Sequence, residues 1–506
     1  MWSKHLLLLK VILDTALATS SPKTFDAATL AEFIEKEAPI AWQGILNNIG
    51  AEGALAQGAY PGIVVASPSK SDPDYFYTWT RDAGLTIPAI TALLTDLTDD
   101  EENTRASIER ILQQFVTSQA TQQTISNPSG SLTDGTGLGE PKFHVNITEF
   151  TEAWGRPQRD GPPLRASALI AYGNHLVAHG KTALAKANIW PIVRNDLAYV
   201  AQYWNETTFD LWEEVRGSSF FTTAVQHKAL VEGQAFAEAI LCHLQQYWDG
   251  TAAAVISNIP KSGRSGLDAN SILAAVHTFD PEASCDDGSS EGGGGGTFQP
   301  CSARALSNHK HVVDSFRSLY KVNQGRGAGT AAAVGRYVED IYQGGHPWYL
   351  TTLAAAEQLY DALYQWDRQG VIEVTAVSAP FFVDLIRDIV PGSYPRASDG
   401  YATICDAVRR YADGFVAVVQ QFTPADGGLA EQYDRITGQP VSAVDLTWSF
   451  AAFLTATARR SGAVPPSWGA SAAEPAPATC SATSVRGQYA TPVVGSWRVQ
   501  LHDELK

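Results

Sequence analysis

Apolar residues recur at three- and four-residue spacing along most of this 506-residue chain, which is the period of an amphipathic α-helix. The pattern predicts helices over 27–48, 104–120, 165–180, 184–203, 223–247, 308–321, 348–368, 379–390, 401–421 and 442–460. Long loops rich in Gly, Pro, Asp and aromatic residues lie at 49–82, 121–164, 204–222, 322–347 and 422–441. Strand-like runs, such as 62–66 and 371–374, are short and few. About a dozen helices with long loops between alternate pairs favour one all-α toroid of stacked helix pairs over several small domains.

The two ends of the chain differ from the helical middle, which we expect to form one domain over 24–465. Residues 1–18 resemble a signal peptide, with a basic start, four leucines and a small-x-small cleavage pattern. An ordinary N-terminal helix is the alternative, because Lys10 and Asp14 interrupt the apolar stretch. Residues 466–506 are rich in Ser, Ala and Pro, which is typical of an extended wrap or tail.

Composition narrows the choice of partners. The 53 acidic and 36 basic side chains give a net charge of −17, and such a surplus of carboxylates repels phosphate backbones, so no nucleic-acid partner is expected. No run of eighteen apolar residues occurs, so no membrane span is expected. Glycosylation sequons begin at Asn146 and Asn205 and support a secreted, extracellular protein, which we expect to be a monomer.

The five cysteines contain no C-x-x-C pair, which disfavours a zinc ribbon or a thioredoxin-type site. In a secreted chain, two disulfides and one free thiol are expected. Cys285 and Cys301 flank a Gly-rich loop and are natural partners, and a bond from Cys242 to Cys480 would tie the tail to the body. Cys405 lies in an apolar helical pattern, so we expect it to be buried and unpaired.

The sequence contains no complete motif for binding a metal ion or a cofactor. His175 and His179 are one helical turn apart, but the Glu of H-E-x-x-H is missing, so histidines on a helix face are the favoured interpretation. The letters G-x-S-x-G at 288–292 lack the strand and helix that a nucleophile elbow requires. We therefore expect neither a metal nor a cofactor.

The strongest local chemical signal is a group of three acids, Asp210, Glu213 and Glu214, around Trp212. Like charges and an apolar ring disfavour the ionised form of a carboxyl group and so raise its pKa. A general acid needs that property in order to hold its proton at the working pH. The alternative is that these acids occupy the first turn of the next helix, where the helix dipole favours them.

Further acids and aromatic residues lie in other loops. Glu431 follows a Gly-rich turn and on its own would be a solvated loop acid. Arg81 and Asp82 follow an aromatic run from 74 onward, and such a pair either grips vicinal hydroxyls or forms a structural ion pair. Because aromatic faces stack on sugars, several such loops on one rim indicate a carbohydrate pocket with two separated carboxylates to cleave a glycosidic bond.

Six stretches together resemble the fungal glucoamylases of glycoside hydrolase family fifteen, in family order over residues 40–460. They are 45–50, 73–82, 154–161, 210–215, 354–364 and 445–449. The resemblance implies an (α/α)6 barrel. It also implies exo-hydrolysis of α-1,4 and, slowly, α-1,6 bonds from the non-reducing ends of starch and maltodextrins, with release of β-D-glucose by inversion.

The resemblance also implies roles for residues of this chain. Glu213 would be the general acid and Glu431 the general base, about 6.5–9.5 Å apart so that a water fits beside the anomeric carbon. Arg81, Asp82 and Arg336 would bind the hydroxyls of the terminal glucose. The complete set of expected substrate-binding residues is Tyr75, Trp79, Arg81, Asp82, Trp154, Asp210, Trp212, Glu214, Arg336, Asp340, Trp348 and Trp448.

The chain also departs from the family pattern. Arg216 follows the acid motif, where a cation could lower the pKa of the acid or alter the next sugar site, and Phe209 stands where Tyr is frequent. About forty residues follow the barrel, too few for a starch-binding domain, so we expect weak action on raw granular starch. The alternatives are an inverting glycosidase acting on dextran or trehalose and a non-catalytic sugar-binding protein, which has no reason to retain both glutamates.

Overall fold

A computed structural model describes residues 26–97, 101–234, 237–286, 296–472, 476 and 480–497. The α-helices are Ala27–Asn47 (α1), Thr80–Asp96 (α2), Glu102–Gln123 (α3), Gly161–Ala178 (α4), Thr182–Leu184 (α5), Trp190–Tyr203 (α6), Phe220–Glu232 (α7), Glu238–Leu244 (α8), Asn270–His277 (α9), Ala303–Ser315 (α10), Tyr349–Gln369 (α11), Ala379–Leu385 (α12), Asp399–Phe422 (α13) and Thr447–Arg460 (α14). The predicted signal peptide, 1–18, and most of the Gly-rich loop lie outside the described residues.

Within these ranges, six helices form a closed inner ring. Helix α2 packs on α4, α4 on α7, α7 on α9, α9 on α11, α11 on α14, and α14 returns to α2. An outer helix covers each of them: α3 on α2, α6 on α4, α8 on α7, α10 on α9, α13 on α11 and α1 on α14. Outer and inner helices alternate along the chain, so the predicted (α/α)6 barrel is confirmed.

Burial separates the two layers. Helix α11 of the inner ring is buried on nearly every side from Tyr349 to Trp366, whereas the outer helix α1 buries only a stripe that contains Leu30, Ala41 and Ile45. A helix that is apolar all round lies in a core, and one with a single apolar stripe lies at a surface. Most of the buried apolar residues belong to one cluster that runs through the barrel.

The apolar periodicity misses two inner helices, α2 and α9. Gly84 and Pro88 interrupt the pattern of α2, and α9 has only 8 residues. The helix predicted at 223–247 is divided into α7 and α8, because α7 ends at Gly233. The helix predicted at 308–321 is shifted toward the N-terminus and ends at Ser315.

The strands are short and lie in the segments that connect the helices. They are Tyr77–Trp79 (β1), Lys142–His144 (β2), Thr208–Phe209 (β3), Arg216–Ser219 (β4), Trp248–Asp249 (β5), Ala254–Val255 (β6), Asn258–Ile259 (β7), Val371–Val374 (β8), Gly392–Pro395 (β9), Gln432–Tyr433 (β10) and Pro440–Val441 (β11). The run at 371–374 is a strand as predicted, paired antiparallel with β9. The run at 62–66 is not a strand, because Val64 makes only an isolated bridge to Ile49.

The structure contains both predicted disulfides, Cys242–Cys480 and Cys285–Cys301. Cys405 is unpaired, but it is partly exposed rather than buried as predicted. It lies on the outer helix α13, one face of which meets solvent. None of the helices in the described part of the chain is long and apolar enough to cross a membrane.

Candidate active site

Three of the six inner helices begin at one pocket of about 720 Å³. Trp79, Trp348 and Leu446 immediately precede α2, α11 and α14, and all three line this pocket. Twelve of the residues predicted for the site line it as well: Tyr75, Trp79, Arg81, Asp82, Trp154, Trp212, Glu213, Glu214, Arg336, Trp348, Glu431 and Trp448. The loops of one rim therefore bring together residues that are far apart in the chain.

A tight turn before β4 presents Glu213 to the pocket. The Glu213 N–H donates to the Asp210 carbonyl at 2.9 Å, and the N–H groups of Glu214 and Val215 donate to Asp210 Oδ1 at 2.9 and 3.0 Å. The φ of Glu213 is +67°, a conformation that a residue other than glycine adopts at a cost, so the Asp210 bonds are needed to hold it. Helix α7 begins only at Phe220, so the dipole alternative for these acids is wrong.

Three donors converge on one oxygen of Glu213. Trp79 Nε1 donates to Oε1 at 2.7 Å, Gln158 Nε2 at 3.0 Å and Arg81 Nη2 at 3.4 Å. Arg81 Nη1 also donates to Gln158 Oε1 at 2.7 Å, which orients the amide. Among the described residues, no hydrogen bond reaches Oε2, so the two oxygens of this carboxyl group have different surroundings.

Glu431 lies in the same pocket but is only 1 % exposed, so the alternative of a solvated loop acid is wrong. Ser442 Oγ and Gln432 Nε2 donate to its Oε2, the latter at 3.1 Å. The Tyr75 hydroxyl faces the carboxylate and lies 2.6 Å from the Tyr342 hydroxyl. Burial raises the pKa of Glu431 to about 7, although these hydrogen bonds favour its ionised form.

Arg81 and Asp82 form a buried ion pair that also lines the pocket, so the interpretation as a structural ion pair is confirmed, and the binding of vicinal hydroxyls stays a prediction. Arg81 Nε lies 3.4 Å from Asp82 Oδ2, and Arg81 Nη1 lies 3.4 Å from Asp160 Oδ2. Burial raises the pKa of Asp82 to about 6, although the guanidinium of Arg81 opposes the shift. The pair places a donor-only group next to an acceptor, which suits the recognition of adjacent hydroxyls.

Arg336 is fixed in the opposite wall by two carboxylates. It donates to both oxygens of Asp340, at 2.8 and 2.6 Å, and to Glu214 Oε1 at 2.9 Å. Burial alone would raise the pKa of Glu214, but Arg336 and the Tyr337 hydroxyl hold it below the ordinary value. The guanidinium lies 5.4 Å from the Trp348 ring, which adds a cation–π contact.

Contacts on the side away from the pocket hold the Trp212 side chain in place. Its Nε1 donates to Asp268 Oδ1 at 2.9 Å, and its ring lies 5.6 Å from that of Trp348. Asp268 is fully buried, and burial raises its pKa to about 7. This support fixes the plane of the indole in the pocket wall.

Lys142 is an unpredicted member of the site. Its Nζ lies 4.0 Å from the ring of Tyr77, 4.6 Å from Trp79, 4.3 Å from Phe150 and 3.7 Å from Trp154. Burial lowers its pKa to about 8. Two of the four rings lie on β1, which pairs with the strand of Lys142, and the other two lie in the loop that follows β2, so the cluster forms only when β1 pairs with β2.

Several predicted residues lie away from the pocket surface. Asp210 and Asp340 do not line it, and they hold the Glu213 turn and Arg336 from behind. Arg216 is exposed on β4 and does not line the pocket, and its effect on the acid stays a prediction. Among the described residues, no group of three or more His, Cys, Asp or Glu side chains could hold a metal ion.

Comparisons with known proteins show which family the chain resembles. The profile of "Glycosyl hydrolases family 15" matches residues 39–458. The chain is 55 % identical over 483 residues to the "Glucoamylase" of Neurospora crassa, covering 93 % of this chain and 74 % of that protein.

Solved structures show the same likeness. The family 15 glucoamylase of Hypocrea jecorina superposes with a TM-score of 0.88 at 51 % identity, covering 93 % of this chain and 78 % of that one. The glucoamylase of Hormoconis resinae gives a TM-score of 0.87 at 47 % identity, over 93 % of this chain and 80 % of that one. The chain therefore belongs to glycosyl hydrolases family 15.

Proposed function

We propose that this protein is a glucoamylase that removes single β-D-glucose units from the non-reducing ends of α-1,4-linked glucans with inversion, and cleaves α-1,6 bonds slowly. The observation that carries the proposal is the presence of two carboxyl groups, Glu213 and Glu431, with different surroundings in one aromatic pocket. Relatives at 47–55 % identity bear the name glucoamylase, which supports the substrate class.

Glu213 is the general acid in this proposal. The three groups that contact Oε1 are an indole N–H, an amide N–H and a guanidinium, and all of them donate. Oε1 therefore acts as an acceptor, and a proton on this carboxyl group belongs on Oε2. The turn fixed by Asp210 aims that proton at the glycosidic oxygen, whose departure it assists.

Glu431 is the general base. In an inverting reaction, the base removes a proton from the water that attacks the anomeric carbon on the face opposite the leaving group. Ser442 and Gln432 both donate to Oε2 and hold the carboxylate in position. Because burial raises the pKa of Glu431 to about 7, the base is lost by protonation at a higher pH than for an ordinary carboxylate.

The remaining lining residues select a chain end. Arg81 and Asp82 are buried at 6 and 8 % exposure and would bind the terminal glucose hydroxyls together with Arg336. Tyr75, Trp79 and Trp448 offer rings for the apolar faces of the sugar. A pocket ending in buried charged groups admits the end of a glucan, not its middle, which favours exo action.

We also propose that the protein is secreted as a monomer, glycosylated at Asn146 and Asn205. Both asparagines are exposed, and the two disulfides suit an oxidising compartment. Intact mass and gel filtration of the protein secreted by a fungal host test these points.

Two variants test the catalytic assignment. Glu213→Gln and Glu431→Gln should each reduce kcat on maltose by about 10²- to 10⁴-fold while maltose still binds. On α-glucosyl fluoride, whose leaving group needs no proton, Glu213→Gln should retain much of its activity and Glu431→Gln should not. The reverse pattern would exchange the two roles, and near-normal maltose hydrolysis in either variant would remove that residue from the mechanism.

Substrate comparison tests the specificity. Maltose should be hydrolysed far faster than dextran or trehalose. A preference for either of the latter would show that the pocket serves a different α-glucoside.

A further inference from the structure

A second depression of about 590 Å³ adjoins the catalytic pocket. Asp74 and Tyr77 line both of them, so the two are separated only by the loop that leads into β1. We call this second depression the groove, and the polar and aromatic side chains that line it are also those of Gln57, Lys70, Phe76, His144, Asn146 and Thr148. Its volume lies in the range of pockets that hold small ligands.

The groove contains the first glycosylation sequon, which a rigid turn presents. The Ile147 N–H donates to the His144 carbonyl at 2.9 Å and closes the turn that follows β2. Ile147 has a φ of +61°, a costly conformation for a β-branched residue. Its side chain is only 7 % exposed and packs with Ile63 and Val65, which offsets that cost and fixes Asn146 outward.

The sequon itself is held in one arrangement. Thr148 Oγ1 donates to Asn146 Oδ1 at 2.8 Å, which fixes the plane of the amide. Asn146 Nδ2, the atom that carries a glycan, donates no hydrogen bond to the residues that the structure describes. In contrast, Asn205 Nδ2 donates to the Ala482 carbonyl at 2.5 Å, outside both pockets.

We propose that an N-linked glycan on Asn146 lies in this groove and narrows the entrance of the catalytic pocket. The first N-acetylglucosamine would place an apolar face on the partly exposed Phe76 ring, which also packs against the cluster of Ile63, Val65 and Ile147 and lies 4.1 Å from Lys70 Nζ. Gln57 and Asp74 offer a donor and an acceptor for its hydroxyls. The inference rests on the proposed secretion and glucan hydrolysis.

The modification is the transfer of an oligosaccharide to an asparagine side chain, as it occurs in the secretory pathway. Asn146 Nδ2 forms a bond to C1 of the sugar, the lipid diphosphate of the oligosaccharide donor leaves, and Nδ2 gives up one proton. The glycan would then stand beside Asp74 and Tyr77, which also line the catalytic pocket, so in this proposal it obstructs the part of a long glucan that extends out of the pocket on this side. Maltose is too short to reach the glycan, whereas a branched glucan meets it.

The first experiment locates the glycan. The protein is secreted from a fungal host, and the occupancy of each sequon is measured by mass spectrometry during native digestion with peptide N-glycosidase. In the Phe76→Ala variant, release from Asn146 should become severalfold faster, while release from Asn205 stays the same. Gln57→Ala, at an exposed position, should act in the same direction and replaces Phe76→Ala if that variant does not fold.

The second experiment measures the effect on substrates. Thr148→Ala removes the sequon, Thr148→Ser retains it, and Thr207→Ala removes the other one. Thr148→Ala should raise kcat/KM on amylopectin severalfold and leave kcat/KM on maltose unchanged, whereas the two control variants should match the parent.

Three results would overturn the inference: an unmodified Asn146 in the secreted protein, release from Asn146 that neither groove variant accelerates, or an unchanged ratio of amylopectin to maltose activity in Thr148→Ala. Absence of hydrolysis on every glucan would instead refute the proposed function, while the release rates would still report where the glycan lies.

Discussion

At the scale of single residues, Ser442 favours the ionised form of the proposed base and so opposes the effect of burial on its pKa. Its hydroxyl donates to Glu431 Oε2, and its own φ is +67°. We predict that Ser442→Gly, which suits this backbone conformation, removes a hydrogen bond that favours the carboxylate. A bond to a charged group is worth about 1.5–3 kcal/mol, so the pKa of Glu431 should rise by about one to two units.

The pH profile of kcat/KM on maltose measures this change. Because the base must be ionised, activity should fall as the pH drops below the pKa of Glu431, and this acidic limb should move to higher pH in Ser442→Gly. An acidic limb at the same pH in both proteins would mean that Glu431 is not the group that titrates there.

The sequence shows which residues could act as acids, bases or sugar-binding groups, but it does not show which of them contact one another in the folded protein. Glu213 and Glu431 stand in recognisable motifs, and both line the pocket. The sequence does not identify Gln158, Ser442 or Lys142 as site residues. In the structure, Gln158 contacts Glu213, Ser442 contacts Glu431, and Lys142 contacts the aromatic rings of the pocket. Gln158 reaches Glu213 across 55 residues, whereas Ser442 and Lys142 meet their partners through strand pairing and loop conformation, and no local spacing encodes either kind of contact.

At the scale of elements, helix α1 carries a buried acid far from the pocket surface. Glu37 is 3 % exposed, and its Oε1 has no hydrogen-bond partner among the described residues. Burial, with a smaller effect of Asp426, raises its pKa to about 7. The folded protein therefore binds more protons at this site than the unfolded chain between about pH 4.5 and 7, and this favourable contribution is lost as the pH rises.

We predict that Glu37→Gln becomes more stable than the parent as the pH rises through this window. The two proteins should unfold at similar temperatures at pH 4, and the variant should gain on the order of 1 kcal/mol by pH 8. Glu35→Gln, an exposed position on the same helix, is the control and should show no such trend. A constant difference between Glu37→Gln and the parent at all pH values would contradict the buried-acid interpretation.

The elements themselves were predictable where one apolar stripe repeats over several turns. Outer helices such as α1, α3 and α13 have that pattern, and the sequence places them within a few residues. Helix α2 lacks it, because an inner helix meets neighbours on several sides and carries Pro88 and the site residues Arg81 and Asp82. Burial alone does not hide a helix from the sequence, because the almost wholly buried α11 was placed within one residue at each end, at 348–368.

At the scale of the whole molecule, the tail is tied to the barrel by the Cys242–Cys480 bond, which spans 238 residues. The tail also pairs with α6, where Val485 N–H donates to the Ala201 carbonyl at 3.0 Å and Asn195 Nδ2 donates to the Ala490 carbonyl at 2.8 Å. We predict that replacing both cysteines by serine lowers the free energy of unfolding by about 2–5 kcal/mol.

Activity separates this structural role from a catalytic one. None of the tail residues that the structure describes lines the catalytic pocket, so kcat/KM on maltose at 25 °C should match the parent while the melting temperature falls. The Cys285→Ser, Cys301→Ser double variant is the comparison, because its bond closes a loop of only 16 residues. Loss of activity in the folded Cys242→Ser, Cys480→Ser protein would show that the tail reaches the site.

The closure of the ring is the property of the whole chain that brings the two glutamates together. The sequence predicts a toroid from alternating helices and loops, but the contact of α14 with α2, which joins the two ends of the inner ring, has no signal of its own. Each helix pair has apolar faces that it does not cover itself, and the ring closes because contact between neighbouring pairs buries those faces.

The anomeric form of the first glucose released from maltotriose tests the central claim most directly. Proton NMR within the first minutes, before mutarotation, distinguishes the two anomers. A proton donor at Glu213 and a water-activating base at Glu431 predict β-D-glucose as the initial product. Initial release of α-D-glucose would mean that a carboxylate attacks the sugar directly, and would contradict the mechanism.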